Sequence, residues 1–278
     1  MIVVRWSAAK GIGRVTGRLP SKDFADEVVV NVLMLFDESE GDGAWHGGCL
    51  ALAELARRGL LLPSRLEDVV PLVVKALTYD VRRGTNSVGD HVRDAACYVC
   101  WAFARAYAPA VMKPHVLLLS QTMLITSIYD REVNCRRAAS AAFQENVGRQ
   151  GNENFPHGIE ILTVADYFTL SNRKHAYTEV AKFVCTFDTY RKPLLDHLLH
   201  SKAQHWDIAI RELAAESFGI LCSLDVDYIL NTALVKLIPD TVSPTLIIRH
   251  GACLSIAEII KSLGSMGVNV PSKLANQV

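Results

Sequence analysis

The sequence predicts an all-α chain of stacked helical hairpins, and three observations carry that prediction. An arginine-led cluster of small residues recurs along the chain, an apolar-periodic segment precedes each recurrence, and proline or glycine marks the joints. Strand signals are weak, because the β-branched runs Val28 to Val30 and Ile247 to Ile248 sit inside longer helical periods.

Taken in order, the recurring cluster begins at Arg5 with Ser7, Ala8 and Ala9. It returns at Arg93 with Ala95, Ala96 and Cys97, and at Arg136 with Ala138, Ala139 and Ser140. Further copies are Arg211 with Leu213, Ala214 and Ala215, and Arg249 with Gly251, Ala252 and Cys253. Degenerate copies stand at Trp45 with Gly47, Gly48 and Cys49, and at Tyr177 with Glu179, Val180 and Ala181. The mean spacing is about 41 residues, within the roughly 40 to 47 of HEAT and armadillo repeats. Small residues suit that phase because a helix can approach both its hairpin partner and the next hairpin only where side chains are short.

The first helix of each pair is read at Ala25 to Phe36, Leu66 to Leu77, Val116 to Ile128, Ile159 to Phe168, Leu194 to His200 and Tyr228 to Ile238. Stops are expected at Gly41 and Gly43, Pro63, Pro109 and Pro114, Gly148, Gly151 and Pro156, Pro193, Pro239 and Pro244. Long connections fall at Asp80 to Asp90 and Gly148 to Gly158. The expected architecture is a HEAT/armadillo-like α-solenoid of about six to seven helical hairpins over residues 1–262, truncated at both ends, with a flexible tail over 263–278.

Composition narrows the function. The 278 residues are 50% hydrophobic and 21% charged, too apolar for disorder. Twenty-nine basic residues balance twenty-nine acidic ones, so nucleic-acid binding by counterion release has little to draw on. The longest uncharged run, Pro114 to Tyr129, is broken by Ser120, Gln121, Thr122, Thr126 and Ser127 and falls short of a membrane span. Arg5 cuts the N-terminal apolar stretch too early for a secretory signal. The acid-free, basic residues 1–22 superficially suit a transit peptide, but Arg5 and its small residues fit the repeat. Seven irregularly spaced cysteines point to a reducing compartment.

Catalytic chemistry has no visible home. Cys97 and Cys100 form a CxxC with no second pair, and Cys49, Cys97 and Cys253 share a repeat phase that calls for small buried side chains. His197 and His200, beside Asp196 and His205, lack a fixed third metal ligand. Gly11, Gly13 and Gly17 miss the dinucleotide fingerprint, since Thr16 stands where its third glycine belongs. Neither a phosphate loop nor a nucleophile elbow is present. No enzyme, cofactor or metal is expected.

One pattern exceeds core packing. Nine positions beyond an anchor stand Arg14, Glu54, Glu145 and Glu258; twelve or thirteen beyond stand Arg18, Arg57, Arg58, Arg105, Arg149 and Lys261. Nine and thirteen share a helix face. Cations in a last turn also favour the negative end of the helix dipole, which is the bland explanation. The functional one is a charged band presented to a large protein partner, with Arg14, Arg18, Glu54, Arg57, Arg58, Arg105, Glu145 and Arg149 as candidate contacts.

The stretches Val4 to Arg14, Ala44 to Leu55, Val92 to Tyr107 and Asn134 to Gly151 closely resemble the tubulin-folding cofactor D, or tubulin-specific chaperone D, family. So do His205-Trp206-Asp207 and Ile210 to Ala215, while Ser171 to Tyr190 and the residues after about 262 match less well. The resemblance implies a middle segment of a longer, non-catalytic HEAT-repeat protein. It implies a cytoplasmic location, with the cytoskeleton and centrosome as further sites. That family holds β-tubulin, joins cofactor E carrying α-tubulin, engages an ADP-ribosylation-factor-like small GTPase, and with cofactor C promotes GTP hydrolysis by tubulin. A spacer that contacts no client and only sets superhelix curvature is the alternative.

Overall fold

The computed structural model describes residues 2–151 and 153–271. They fall into two compact units, residues 1–167 and 168–278.

In the first unit, α1 (Ile2–Thr16), α3 (Asp42–Arg57), α5 (Asp90–Ala106) and α8 (Val133–Gln150) are the second helices of successive hairpins, and each packs against the next. Their partners are α2 (Lys22–Leu33), α4 (Leu66–Leu77) and α7 (Val116–Tyr129), with the short α6 (Pro109–Met112) leading into α7. A further short helix, α9 (Gly158–Leu162), packs on α8. Small residues line the seams as their phase requires: Ala9, Cys49, Ala96, Cys97 and Ala139 are all buried. Gly48 is fully helical and sits under the Phe36 ring, where a Cβ would fall 2.7 Å from a ring carbon.

The uncharged run that is too short for a bilayer is α7, a core helix. Its hydroxyls turn back on carbonyls, Thr122 to Leu118 at 2.8 Å and Thr126 to both Thr122 at 2.9 Å and Leu77 at 3.1 Å. Buried polar groups are thereby satisfied without water. No described helix is long and apolar enough to cross a membrane.

In the second unit, α10 (Arg173–His175), a π-turn at Ala176–Val180 and α11 (Ala181–Val184) form one helix that packs on α13 (Ile208–Leu221). Next comes α12 (Asp188–His197), extended by a π-turn at Leu198–Lys202. Then α14 (Val226–Tyr228), a π-turn at Ile229–Ala233 and α15 (Leu234–Asp240) together precede α16 (Leu246–Ser265), which packs on α13 and α15.

The anchor residue has a second task that spacing alone did not reveal. Arg5, Trp45, Arg93, Arg136, Arg211 and Arg249 are each the fourth residue of their helix. From there the side chain can reach the carbonyls left unpaired where the previous helix ends. Arg136 Nη1 donates to Asp130 and Arg131 carbonyls at 3.0 and 3.1 Å. Arg211 Nη1 does the same to His205 and Trp206 at 2.6 and 3.0 Å, and Arg249 to Ser243 at 2.7 Å. Trp45 Nε1 donates to the Asp37 carbonyl at 3.2 Å. Arg191 on α12 uses the same device on Cys185 and Thr186, outside the recurring pattern.

Several expectations change. The connection after α4 carries a two-stranded hairpin, β1 (Val81–Arg83) antiparallel to β2 (Asn86–Val88), turned by Gly84 at a φ of 63°. The helix expected at Ile159 to Phe168 ends at Leu162, and the Ala165 carbonyl instead accepts from Ser140 Oγ at 2.8 Å. Pro193 and Pro239 lie inside α12 and α15 and do not end them. Cys253 is exposed, unlike Cys49 and Cys97, because no described helix packs over its face of α16. That helix runs to Ser265 with Leu263 buried, and residues 272–278 of the expected tail lie outside the described residues.

Candidate partner-binding surface

The charged phase lands on the C-terminal halves of α1, α3, α5 and α8, with Arg18 and Arg58 just past the ends of α1 and α3, where the helix dipole favours cations. There it forms a connected ladder. Glu54 accepts from Arg57 Nη1 at 3.0 Å and from the Tyr98 hydroxyl at 3.1 Å, while Arg57 Nη1 also donates to that hydroxyl at 2.8 Å. Arg58 Nε lies 3.7 Å from the same carboxylate. Arg58 reaches it by crossing α1 at Gly13, where a Cβ would stand 2.8 Å from that nitrogen. The hydrogen bond to Tyr98 raises the Arg57 pKa further, and burial raises that of Tyr98, so both keep their protons.

Across the next seam, Arg105 Nη1 and Arg149 Nε both donate to Glu145 Oε1, at 3.2 and 2.9 Å. Trp101 joins the two clusters. Its ring stacks on Tyr98 with centroids 5.7 Å apart, and the Arg105 and Arg57 guanidiniums stand 4.7 and 5.8 Å from its centroid. Trp6 meets Tyr98 at 5.1 Å, and Lys10 lies over Trp6 at 5.5 Å. Since α3 stands between α1 and α5, this ring contact reaches across it.

Glu54 departs from its expected place: its side chain is 4% exposed, beneath its arginines. It therefore orients Arg57 and Arg58 and does not meet a partner itself. Arg14 and Arg18 are exposed and enter no ion pair with a described residue. Lys10, Arg14, Arg18, Arg57, Arg58, Arg105 and Arg149 thus outnumber the carboxylates Glu54, Glu145 and Asp94, the last exposed one turn before Tyr98, on a chain of zero net charge. The aromatic rungs were missed from sequence, although Tyr98, Trp101 and Arg105 are spaced three and four apart and so share one helix face.

A groove opens beside this ladder between α5, α8 and α9, lined by Trp101, Ala141, Glu145, Gly148, Ile159 and Leu162. Ile159 is 60% exposed, and nothing stands within 4 Å of the Gly148 Cβ position. In the second unit the same phase holds Ile220, Ser223 and Leu224 after Arg211, and Glu258 paired with Lys261 at 3.2 Å after Arg249.

Residues 1–159 match the family described as tubulin-specific chaperone D-like, ARM repeats. The chain belongs to that family. Among curated relatives of the tubulin-specific chaperone D family, the protein of that name from Dictyostelium discoideum is 46% identical over 267 residues, covering 94% of this chain and 18% of the relative. Tubulin-folding cofactor D of Schizosaccharomyces pombe is 32% identical over 228 residues, 77% of this chain and 20% of its own. The chain thus spans about a fifth of the length of these family members. Among solved structures, Kap121p is 12% identical over 95% of this chain and 28% of its own, with a TM-score of 0.44. A designed armadillo repeat protein is 12% identical over 90% of this chain and 99% of its own, with a TM-score of 0.28.

Elsewhere in this family member most of the cysteines are buried. Cys49, Cys97 and Cys100 are buried, and desolvation pushes all three thiols up, Cys100 to about 12. Burial holds the His197 pKa well below the ordinary value, and His205 Nδ1 accepts from the Asp207 amide at 3.0 Å. No cluster of three or more metal-ligating side chains occurs among the described residues.

Proposed function

We propose that this chain is a non-catalytic armadillo-repeat segment of a tubulin chaperone, and that its cationic ladder contacts the client during assembly of the αβ-tubulin heterodimer. Its relatives' names carry the tubulin assignment. The observation that carries the site is the ladder itself. Successive repeats align Arg57, Arg105 and Arg149 around Trp101 on one face, and solenoids bind partners on extended surfaces built from successive repeats. In this reading the client is β-tubulin, held in the cytoplasm and at the cytoskeleton and centrosome. Cofactor E with α-tubulin, cofactor C and an ADP-ribosylation-factor-like small GTPase act on the same assembly, and GTP hydrolysis is carried out by tubulin, with the chaperone assisting.

Capture of purified β-tubulin by the 278-residue chain tests this. The double variant Arg105→Glu, Arg149→Glu should reduce capture about tenfold or more with helicity intact. Undiminished capture by the folded variant would remove the band from the client interface.

One observation favours the spacer alternative. Arg57, Arg105 and Arg149 all spend hydrogen bonds within the chain, so the ladder also staples neighbouring repeats. Under that reading charge reversal lowers stability and leaves capture unchanged.

A further inference from the structure

The same face carries information about the chemistry of what lies on it. We infer that the groove between α5, α8 and α9 takes an extended acidic segment of a partner protein, with one large apolar side chain seated against Trp101 between flanking carboxylates. The inference rests on reading the ladder as a partner surface and adds the class of ligand.

Charge sets the sign of the occupant. Seven cations outnumber three carboxylates, of which Glu54 is buried, Glu145 is 22% exposed at its side chain, and Asp94 is exposed one turn before Tyr98. The arginines are oriented in advance: Arg105 and Arg149 share one Glu145 oxygen, Arg105 is further fixed over Trp101, and Arg57 is fixed by Tyr98 and Glu54. Each guanidinium has five N–H donors, so donors remain after these bonds are made. Holding them in place beforehand reduces the ordering cost when a carboxylate arrives.

The floor between the cations is apolar. Trp101, Ala141, Val147, Ile159 and Leu162 form its apolar part beside Gln144, Glu145 and Arg149, and the bare Gly148 leaves room for a side chain to enter. A purely acidic ligand would leave this floor wet, so an apolar residue in the segment adds burial that charge alone does not supply.

Spacing follows from the repeat. Neighbouring second helices lie roughly 8 to 10 Å apart, and an extended chain advances about 3.3 Å per residue, so a segment crossing the helices meets a new cation about every third residue. The half-buried Glu145 carboxylate favours a polypeptide over a nucleic acid. A peptide has backbone N–H groups to donate to that carboxylate, whereas a phosphodiester backbone brings only acceptors and negative charge.

Fluorescence anisotropy on the 278-residue chain tests the inference with three labelled 13-residue Gly/Ser peptides. The first has Glu at positions 1, 4, 10 and 13 and Phe at position 7, the second has Lys in place of each Glu, and the third has Ala in place of Phe. The first should bind at least about tenfold more tightly than the other two and weaken with added salt. The double variant Arg105→Gln, Arg149→Gln should lose at least about tenfold of that affinity. Lys192→Glu, an exposed control on α12, should leave it unchanged. Should either arginine substitution unfold the chain, Arg14→Glu with Arg18→Glu provides a second reading at two exposed, unpaired cations, which should weaken the acidic peptide but not abolish its binding. Equal binding of the three peptides, indifference to the arginine substitutions, or tighter arginine-dependent binding of a labelled oligothymidine would overturn the inference.

The two readings fail separately. If the arginine substitutions abolish tubulin capture while the acidic peptide never binds, the acidic-segment inference falls and the client surface stands. If the peptide binds as described but tubulin capture is unaffected, the inference stands and the client reading falls.

Discussion

Arg93 on α5 grips Asp130 at the end of α7 with two parallel hydrogen bonds, Nε to Oδ2 at 2.5 Å and Nη2 to Oδ1 at 3.1 Å, and both residues are buried. The remaining nitrogen, Nη1, donates to the Tyr79 carbonyl at 2.6 Å. One side chain thus ties its own hairpin to the next. Arg93→Met should destabilise the chain by about 3 to 5 kcal/mol, because it strands a buried carboxylate. Urea unfolding of the variant measures this, and a loss below about 1 kcal/mol would mean that Asp130 finds another partner.

Arg136 and Arg211 offer a cleaner test of the carbonyl clamp. Each gives one nitrogen to two carbonyls, and alanine would remove that donor from both. Arg136→Ala and Arg211→Ala should each cost about 1 to 3 kcal/mol or more. Lysine should recover only part of that, since a single ammonium does not reproduce the planar fork. Full recovery by lysine would show that charge, not geometry, does the work.

Gly251 packs against the backbone of Ala203, so a Cβ there would overlap the Ala203 carbonyl oxygen, which no rotamer change relieves. Gly251→Ala should therefore lower stability by about 3 kcal/mol or more. Gly148→Ala is the matched control: it is helical with open space at its Cβ, and it should be neutral or stabilising by up to about 1 kcal/mol. Thermal melts of the two variants should move apart, or in opposite directions.

His46 confers a pH dependence. Burial, then the positive charges of Arg5 and His91, hold its pKa down at about 4, with Asp90 and Asp42 acting weakly the other way. The unfolded chain takes up its proton near pH 6.5, so between pH 6.5 and 4 the unfolded state binds more protons and stability falls as pH falls. This contribution is fully present above pH 6.5 and amounts to about 3 kcal/mol lost by pH 4. Comparing urea midpoints at pH 7 and pH 4.5 for the parent chain and His46→Gln isolates it. The variant should lose less stability over that interval.

Particular residues mark how far the sequence could be read. Leu66 to Leu77 coincides with α4, and Val116 to Ile128 with α7 but for Tyr129, because an amphipathic or wholly buried helix writes its period into consecutive residues. The anchors were found as a spacing, yet their hydrogen bonds were not, since those depend on where the previous helix ends. Arg57, Arg105 and Arg149 were legible as a shared phase, while Trp101 between them was not, because it occurs in one repeat only.

The sequence by itself determined the hairpin repeat, the small-residue seams and the phase of the cations, all of which are local periodicities that one helix can express. Only the tertiary structure decided that Glu54 is buried while Glu145 faces out, that Trp6 meets Tyr98 over α3, and that Cys253 is exposed where Cys49 and Cys97 are covered. Burial at each of those positions is set by the helix packed on top of it, and that neighbour lies about forty residues away in the chain.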